Sequence, residues 1–300
     1  MDALLRRTCR PFLLAFALLA LTAGGLARAQ QPDGADLNIS PKRLVLGGAN
    51  RSGVVYVFNR GTSGASYAID LVDRVMLEDG QIIPLDEIKA GTDAAGAAGR
   101  LQSAKVMITF SPRRVTLGPG ESQTIRVRVL PPQGLKAGEY RTHLTVATLP
   151  PEDAGLTAEQ AAATSEDELS TRVVALLALS IPLIVRQDTT PGAVTIAGPA
   201  LRLRTDGDAQ DSPGSVELQL ARTGDGSSYG NLEVLAQKGN AKPESIGAMK
   251  GIAVYPEIAV RAATIPLVRL PVAGEQVTVR YTDDDATPGK VLATANIDVR

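Results

Sequence analysis

The feature that most constrains this chain is a repeated alternation of short β-branched runs and turn residues. Between Leu37 and about Val146, runs such as "GVVYVFN", "SQTIRVRVLPP" and "YRTHLTVATL" alternate apolar and polar positions. Glycine, proline, asparagine and aspartate separate these runs at regular spacing. Short alternating runs with turn residues between them are typical of antiparallel β-sandwiches. The sequence therefore predicts an all-β fold with a first sandwich in this part of the chain.

Residues 1–29 have the composition of a cleaved export signal. Arginines near the start precede the apolar run "PFLLAFALLALTAGG", and "ARA" at 27–29 is a small-x-small cleavage site. We therefore expect an exported chain whose mature form begins at Gln30. The single cysteine, Cys9, falls inside this segment. The mature chain is thus expected to hold together through its apolar cores, without disulfides.

A hinge divides the mature chain into two domains. "QDTTPGAV" at 187–194 is rich in turn residues, and alternating runs continue beyond it to the end of the chain. We predict a first domain at 30–187 and a second β-sandwich domain at 188–300. Within the first domain, 150–171 is interpreted as a long exposed loop. "DAAGAAGRLQ" at 93–102 is interpreted as another loop, because its side chains are too small to contribute to a core.

An unusually apolar segment follows the loop at 150–171. "RVVALLALSIPLIVR", at 172–186, holds thirteen uncharged residues between two arginines, too few to span a bilayer. Pro182 restricts it to an edge strand, a bulge or a kink, because proline donates no backbone hydrogen bond. A long apolar edge strand is prone to aggregation unless something pairs with it. This segment therefore requires a functional explanation.

Residues suited to catalysis or metal binding are sparse. His143 is the only histidine and lies in an alternating strand, so we interpret it as structural. The acidic run at 283–285 lacks the spaced oxygen ligands of a calcium loop. The sequence contains no nucleophile elbow and no phosphate-binding glycine loop. We therefore predict no enzymatic activity, no metal and no cofactor.

The composition favours a protein that binds other proteins. Without residues 1–29 the chain keeps 27 basic and 31 acidic residues, a formal charge of −4. No stretch is basic enough to follow a nucleic-acid backbone. Aromatic residues make up 3% of the chain and tryptophan is absent, which is poor for a carbohydrate platform. Neither nucleic acid nor a small-molecule substrate is expected as a partner.

The mature chain resembles the PapD-like periplasmic chaperones of pilus assembly. The phrases that carry this resemblance are "SPKRLVLGG", "PRRVTLGPGESQTIRVRV", "GEYRTHLTV", "VVALLALSIPLIVR" and "YTDDD". The similarity covers most of residues 37–190 and is weak beyond them. It implies two immunoglobulin-like β-sandwich domains in a boomerang arrangement, located in the periplasm.

The resemblance implies a binding function. Members of the family hold a pilus or surface-fibre subunit, here called the client, whose immunoglobulin-like fold lacks one strand. The chaperone lends its own edge strand, which is donor-strand complementation by β-augmentation. An outer-membrane usher is the further partner that the family implies. Matching the final arginine to the family makes 172–186 the donor strand and assigns its odd-numbered row to the client: Val173, Ala175, Leu177 and Leu179.

Arg43 matches the arginine that, in this family, anchors the client's C-terminal carboxylate. A lysine near the end of the donor strand accompanies it in the family, but that position falls on or beside Pro182 here. Arg43 therefore acts alone, or the client's end is held differently, or Arg43 is a solvated strand residue.

The family also has a buried salt-bridge set between its two domains. Glu139, Arg186 and Asp284 (or Asp283) occupy the matching positions of this sequence. An arginine suits this task because its planar fork can donate to two carboxylates at once. The set is expected to fix the angle between the domains.

Two readings compete with the chaperone hypothesis. One is a two-domain exported structural or adhesive β-sandwich protein of the cell surface, and the other is an exported hydrolase. A fibre subunit would carry an N-terminal donor extension of alternating apolar residues, and "QQPDGAD" at 30–36 is not one. The hydrolase lacks candidate catalytic groups.

Overall fold

The computed structural model describes residues 34–150, 176–204 and 212–298. The predicted signal segment, nearly all of the loop at 150–171, Val173 and Ala175 lie outside these residues. Within them the chain is almost entirely β-structure, which confirms the predicted fold class of two sandwiches.

The strands before the hinge are β1 (Leu37–Ser40), β2 (Leu44–Gly47), β3 (Ser52–Asn59), β4 (Ala65–Val72), β5 (Arg74–Met76), β6 (Ile82–Pro84), β7 (Ile108–Ser111), β8 (Arg114–Leu117), β9 (Ser122–Val129), β10 (Gly138–Thr148) and β11 (Ala178–Gln187). Those after it are β12 (Ala193–Leu203), β13 (Gly214–Thr223), β14 (Ser228–Lys238), β15 (Glu244–Val254), β16 (Val260–Pro266), β17 (Glu275–Asp283) and β18 (Val291–Ile297). One α-helix, α1 (Asp93–Arg100), and short 3-10 turns at Leu85–Glu87 and Lys105–Met107 complete the described elements.

Two sheets form the first sandwich, with strand orders β1-β3-β9-β7 and β2-β11-β10-β4-β8. Successive side chains of a strand point to opposite faces, so alternate residues of each sheet meet in the middle. Val55 and Val57 of β3 and Leu144 and Val146 of β10 are fully buried there. The apolar alternation in the sequence thus corresponds directly to the inner faces of the two sheets.

Both Ser-Pro phrases mark places where the chain crosses from one sheet to the other. β1 lies in the four-stranded sheet, and after the cis Ser40–Pro41 bond the chain continues as β2 in the five-stranded sheet. β7 and β8 repeat this crossing around the cis Ser111–Pro112 bond. The repeated phrase in the sequence therefore has a shared structural role.

The second sandwich pairs a three-stranded sheet, β12-β13-β16, with a four-stranded sheet, β15-β14-β17-β18. Its core includes Leu220, Val234, Val279 and Tyr281, each with at most 1% of its surface exposed. The hydroxyl of Tyr281 donates a hydrogen bond of 2.8 Å to the backbone oxygen of Ile252, so this buried polar group is satisfied.

An excursion of the first domain, residues 73–107, reaches across to the second domain. It contains the β5–β6 hairpin and helix α1, so the prediction of a loop at 93–102 is wrong. The helix is short, but Asp93 in its first turn and Arg100 in its last turn match the direction of the helix dipole. Ala97 is buried and gives the helix an inner face.

Candidate functional site

Strand β11 has one edge that is only partly covered. It pairs with β10 along its whole length, from Ala178 to Gln187. On the other side it pairs in parallel with β2, but only from Leu183 to Arg186. Among the described strands, none pairs with the other edge of β11 between Ala178 and Pro182. In the described part of the chain, the backbone groups along this stretch of β11 therefore have a strand partner on one side only.

The odd-numbered residues of β11 face the protein's own core. Ile181, Leu183 and Val185 are buried in the first core, and Leu179 packs against it. The prediction that the odd-numbered row faces a client is therefore wrong at Leu179, which points inward, whereas Val173 and Ala175 lie outside the described residues. Leu177 precedes the strand and is 59% exposed, so the inward row begins only after it.

The even-numbered residues of β11 face away from that core. Ala178 and Ser180 are exposed and Pro182 is half-buried. Further along the same row, Ile184 is buried within the core of the second domain. The outward row is therefore open at the start of the strand and covered by the second domain at its end.

Arg186 joins the two domains through two carboxylates. Its Nε donates to Oε2 of Glu139 at 3.0 Å, and its Nη2 donates to Oδ2 of Asp285 at 2.6 Å. The backbone N–H and the hydroxyl of Ser227 donate to the same Glu139 oxygen, at 3.0 and 2.9 Å. Burial alone would lower the pKa of Arg186, but the Glu139 charge and the Asp285 hydrogen bond outweigh it and raise the pKa above its ordinary value.

The second acidic partner is Asp285, which corrects the choice of Asp284 (or Asp283). Asp284 is exposed. The carboxylate of Asp283 accepts the backbone N–H groups of Asp285 and Thr287, at 3.0 and 2.6 Å. Asp283 thus shapes the turn after β17, and that turn brings Asp285 back to Arg186.

Arg43 lies in the same interdomain junction. Its Nη1 is 3.5 Å from Oδ2 of Asp285, and its Cζ lies 4.2 Å from the centre of the Tyr229 ring. Its side chain is only 10% exposed, so it is not a solvated strand residue. Because β2 begins opposite Leu183, Arg43 lies level with Pro182, at the inner end of the open edge of β11.

A second buried ion pair between the domains was not predicted. Arg141 of β10 donates through Nη2 to Oε1 of Glu257, and both side chains are at least 98% buried. The same Glu257 oxygen accepts the backbone N–H of Met76 at 2.9 Å. The Cζ of Arg141 lies 3.7 Å from the Tyr255 ring centre, which adds a cation–π contact. Arg141 is two residues from Glu139, so strand alternation places both on one face.

Apolar side chains and the excursion reinforce this contact. Met76 is buried in the second core, and Val45 and Ile82 pack against that core. Arg100, at the end of α1, donates through Nε to the backbone oxygen of Glu257 at 2.7 Å. The helix missed from the sequence is thus part of the interdomain interface.

His143 lies on the same face of β10 and is 3% exposed. Burial, together with the nearby charges of Arg141 and Arg74, lowers its pKa to about 2. The imidazole is therefore neutral at physiological pH. Within the described part of the chain, no group of His, Cys, Asp and Glu side chains is arranged to hold a metal. None of the helices described there is long and apolar enough to cross a membrane.

Comparison with known proteins gives matches among solved structures. Neither protein-family profiles nor curated protein sequences match the chain. The E. coli chaperone DraB matches with a TM-score of 0.43 and 13% identity, covering 90% of this chain and 100% of its own. A Salmonella enterica structure of SafA pilin in complex with the SafB chaperone matches with a TM-score of 0.42 and 13% identity, covering 90% and 99%.

A third structure is the CsuC–CsuE chaperone–tip adhesion subunit complex from Acinetobacter baumannii. It matches with a TM-score of 0.41 and 16% identity, covering 88% of this chain and 98% of that chain. At these identities the likeness concerns the fold. The solved structures that match this chain thus include pilus chaperones, the family that the sequence resembles.

The Arg186 bridge predicts a stability effect larger than that of a surface pair. Arg186→Ala should lower the free energy of unfolding by on the order of 3 kcal/mol, because the buried Glu139 loses its cation. The matched control is Arg202→Ala, which removes an arginine from an exposed pair with Glu217 at 2.9 Å. That change should cost about 1 kcal/mol or less. Urea unfolding measures both, and equal losses would contradict the structural importance of the junction.

His143 predicts a loss of stability on acidification. Its folded pKa of about 2 lies below its ordinary value of 6.5, so protonation favours the unfolded chain once the pH falls below 6.5. From pH 7 to pH 5 this group alone should remove about 2 kcal/mol of unfolding free energy. Unfolding by urea at both pH values checks this for the wild type and for His143→Gln. The same pH dependence in both proteins would show that His143 is not responsible.

Proposed function

We propose that this chain is a periplasmic chaperone that binds pilus or surface-fibre subunits and stabilises them by donor-strand complementation. The observation that carries the proposal is the partly uncovered edge of β11, which ends at Arg43 in the junction between the domains. The sequence resemblance to PapD-like chaperones supports the identity of the client. An outer-membrane usher, as the second partner, rests on that resemblance alone.

The pairing of β2 supports a position for the added strand. β2 occupies the edge of β11 from Leu183 to Arg186 and runs parallel to it. A client strand beside Ala178–Pro182 would occupy the vacant part of the same edge. If its C-terminus lies at Arg43, it also runs parallel to β11. Main-chain hydrogen bonds would provide affinity, as in other cases of β-augmentation.

The outward row of β11 would face the client. In the described part of the strand this row begins with Ala178 and Ser180, both exposed. Leu176 and Leu177, just before the strand, are 54% and 59% exposed. These two leucines offer apolar surface for the client's incomplete core, since an exposed leucine gains about 1.5 to 3 kcal/mol on full burial.

Arg43 has the chemistry of a carboxylate anchor. None of its three side-chain nitrogens has a hydrogen-bond partner among the described residues, although all three are buried. A guanidinium presents donors in a planar fork that matches a carboxylate. Pro182, level with Arg43 on β11, supplies no second charge. In this proposal Arg43 therefore anchors the client's chain end without the lysine found in the family.

The test is capture of a client in the periplasm. The chain is co-expressed with the subunits encoded by neighbouring reading frames, and a one-to-one complex is isolated. Ser180→Arg should reduce capture at least about tenfold, because the guanidinium would be buried unpaired under the client. The melting temperature of the free variant should stay close to that of the wild type, since Ser180 is exposed.

The other edge strand of the same sheet provides a matched control. Thr116 of β8 is exposed, and its hydroxyl bonds to Ser66 as that of Ser180 bonds to Thr145. Thr116→Arg therefore makes an equivalent change on an edge that the proposal does not use, and should leave capture intact. Full capture by Ser180→Arg, or equal loss in both variants, would contradict binding at the β11 edge.

A further inference from the structure

Two arginines share one carboxylate oxygen in the interdomain junction. Oδ2 of Asp285 lies 2.6 Å from Nη2 of Arg186 and 3.5 Å from Nη1 of Arg43. The first contact is a strong charge-assisted hydrogen bond, whereas the Arg43 contact has no hydrogen bond. Asp285 is therefore positioned mainly by its hydrogen bond with Arg186. Its interaction with Arg43 is an ion pair without a hydrogen bond.

Arg43 is turned toward the second domain in this arrangement. Its guanidinium stacks on Tyr229, and its side chain is nine-tenths buried. Its Nε, Nη1 and Nη2 atoms have no hydrogen-bond partner among the described residues. A buried guanidinium with unmet donors is costly, so an acceptor of better geometry would be favoured at this site.

We propose that Asp285 is an internal competitor that occupies Arg43 in the free protein and releases it to the carboxylate at the end of a client strand. This inference rests on the proposed function, because it concerns the same anchor. It assigns Asp285 a second role, beside that of holding Arg186, and it makes Tyr229 the surface that holds Arg43 in its resting position.

The release leaves the rest of the junction in place. Asp285 keeps its hydrogen bond with Arg186, and its backbone N–H stays bound to Asp283 at 3.0 Å. Only the Arg43 side chain has to turn off the Tyr229 ring. A small free anion binds Arg43 only weakly while Asp285 is present. A carboxylate at the end of a strand paired with β11 adds the free energy of that pairing, so the contact selects chain ends over free anions.

The competition can be measured without any client, using acetate as the probe. The side-chain Nε–H signal of Arg43 is assigned in nitrogen-15 spectra by its loss in Arg43→Lys, and acetate is titrated at constant ionic strength. Asp285→Asn removes the competing charge at nearly constant shape. It should bind acetate about tenfold more tightly than the wild type, as expected for one charge-assisted hydrogen bond regained.

Two control variants test whether tighter acetate binding results from the loss of competition by Asp285, from a loosened junction or from the change in net charge. Asp284→Asn removes the same charge from the exposed neighbouring residue. Glu139→Gln weakens the same junction through Arg186 and leaves the Arg43–Asp285 contact intact. Both should bind acetate as weakly as the wild type. Equal acetate affinity in the wild type and Asp285→Asn, or equal gains in Glu139→Gln and Asp285→Asn, would overturn the proposal.

A further variant covers the case in which Asp285→Asn does not fold. Tyr229→Leu removes the stacking ring and keeps the Asp285–Arg186 hydrogen bond, so it should also strengthen acetate binding, by a smaller factor. No gain in Tyr229→Leu would then overturn the proposal. Because acetate replaces the client, this result is independent of subunit capture at the β11 edge, which tests the proposed function separately.

Discussion

The position of Arg186 governs how the two domains and the open strand relate to each other. It lies near the end of β11, is bound to Glu139 on the neighbouring strand and reaches Asp285 in the second domain. One side chain therefore connects β11 both to its own sheet and to the second domain. Such a buried bridge mainly fixes the relative positions of the groups it joins. Its net contribution to stability is smaller, because the cost of desolvating its charges offsets much of their attraction. The Arg141–Glu257 pair joins the two domains at a second point.

The parts of this structure that follow from local patterns could be predicted from the sequence. Period-2 alternation identified the sandwich strands, because a half-buried strand requires it. The pairing of Glu139 with Arg186 and the junction position of Arg43 followed from family resemblance at those positions. The row of β11 that faces inward could not be read in this way. Buried apolar residues occur in both rows, since Ile184 packs against the second domain while Leu183 fills the first core.

Features that depend on distant partners were missed or misplaced. Helix α1 has a glycine- and alanine-rich sequence without an apolar stripe, and it is held by contacts such as that of Arg100 with the second domain. Arg141 had no visible partner, because Glu257 is 116 residues away in the chain. Asp285 was confused with its neighbours because the conformation of the turn decides which carboxylate of three points back. Alternation of apolar and polar residues identifies a strand, but it carries no information about which distant residues contact the outer face of that strand.

The crossing of the chain at Ser40–Pro41 also determines how much of the outer edge of β11 is covered by β2. Because β1 belongs to the opposite sheet, only the four residues of β2 remain to cover β11. A strand that stayed in the five-stranded sheet from Leu37 onward would cover more of this edge of β11. The point of crossing therefore sets how many residues of β11 pair with β2 and how many do not. A later crossing would lengthen the vacant stretch, and an earlier one would shorten it.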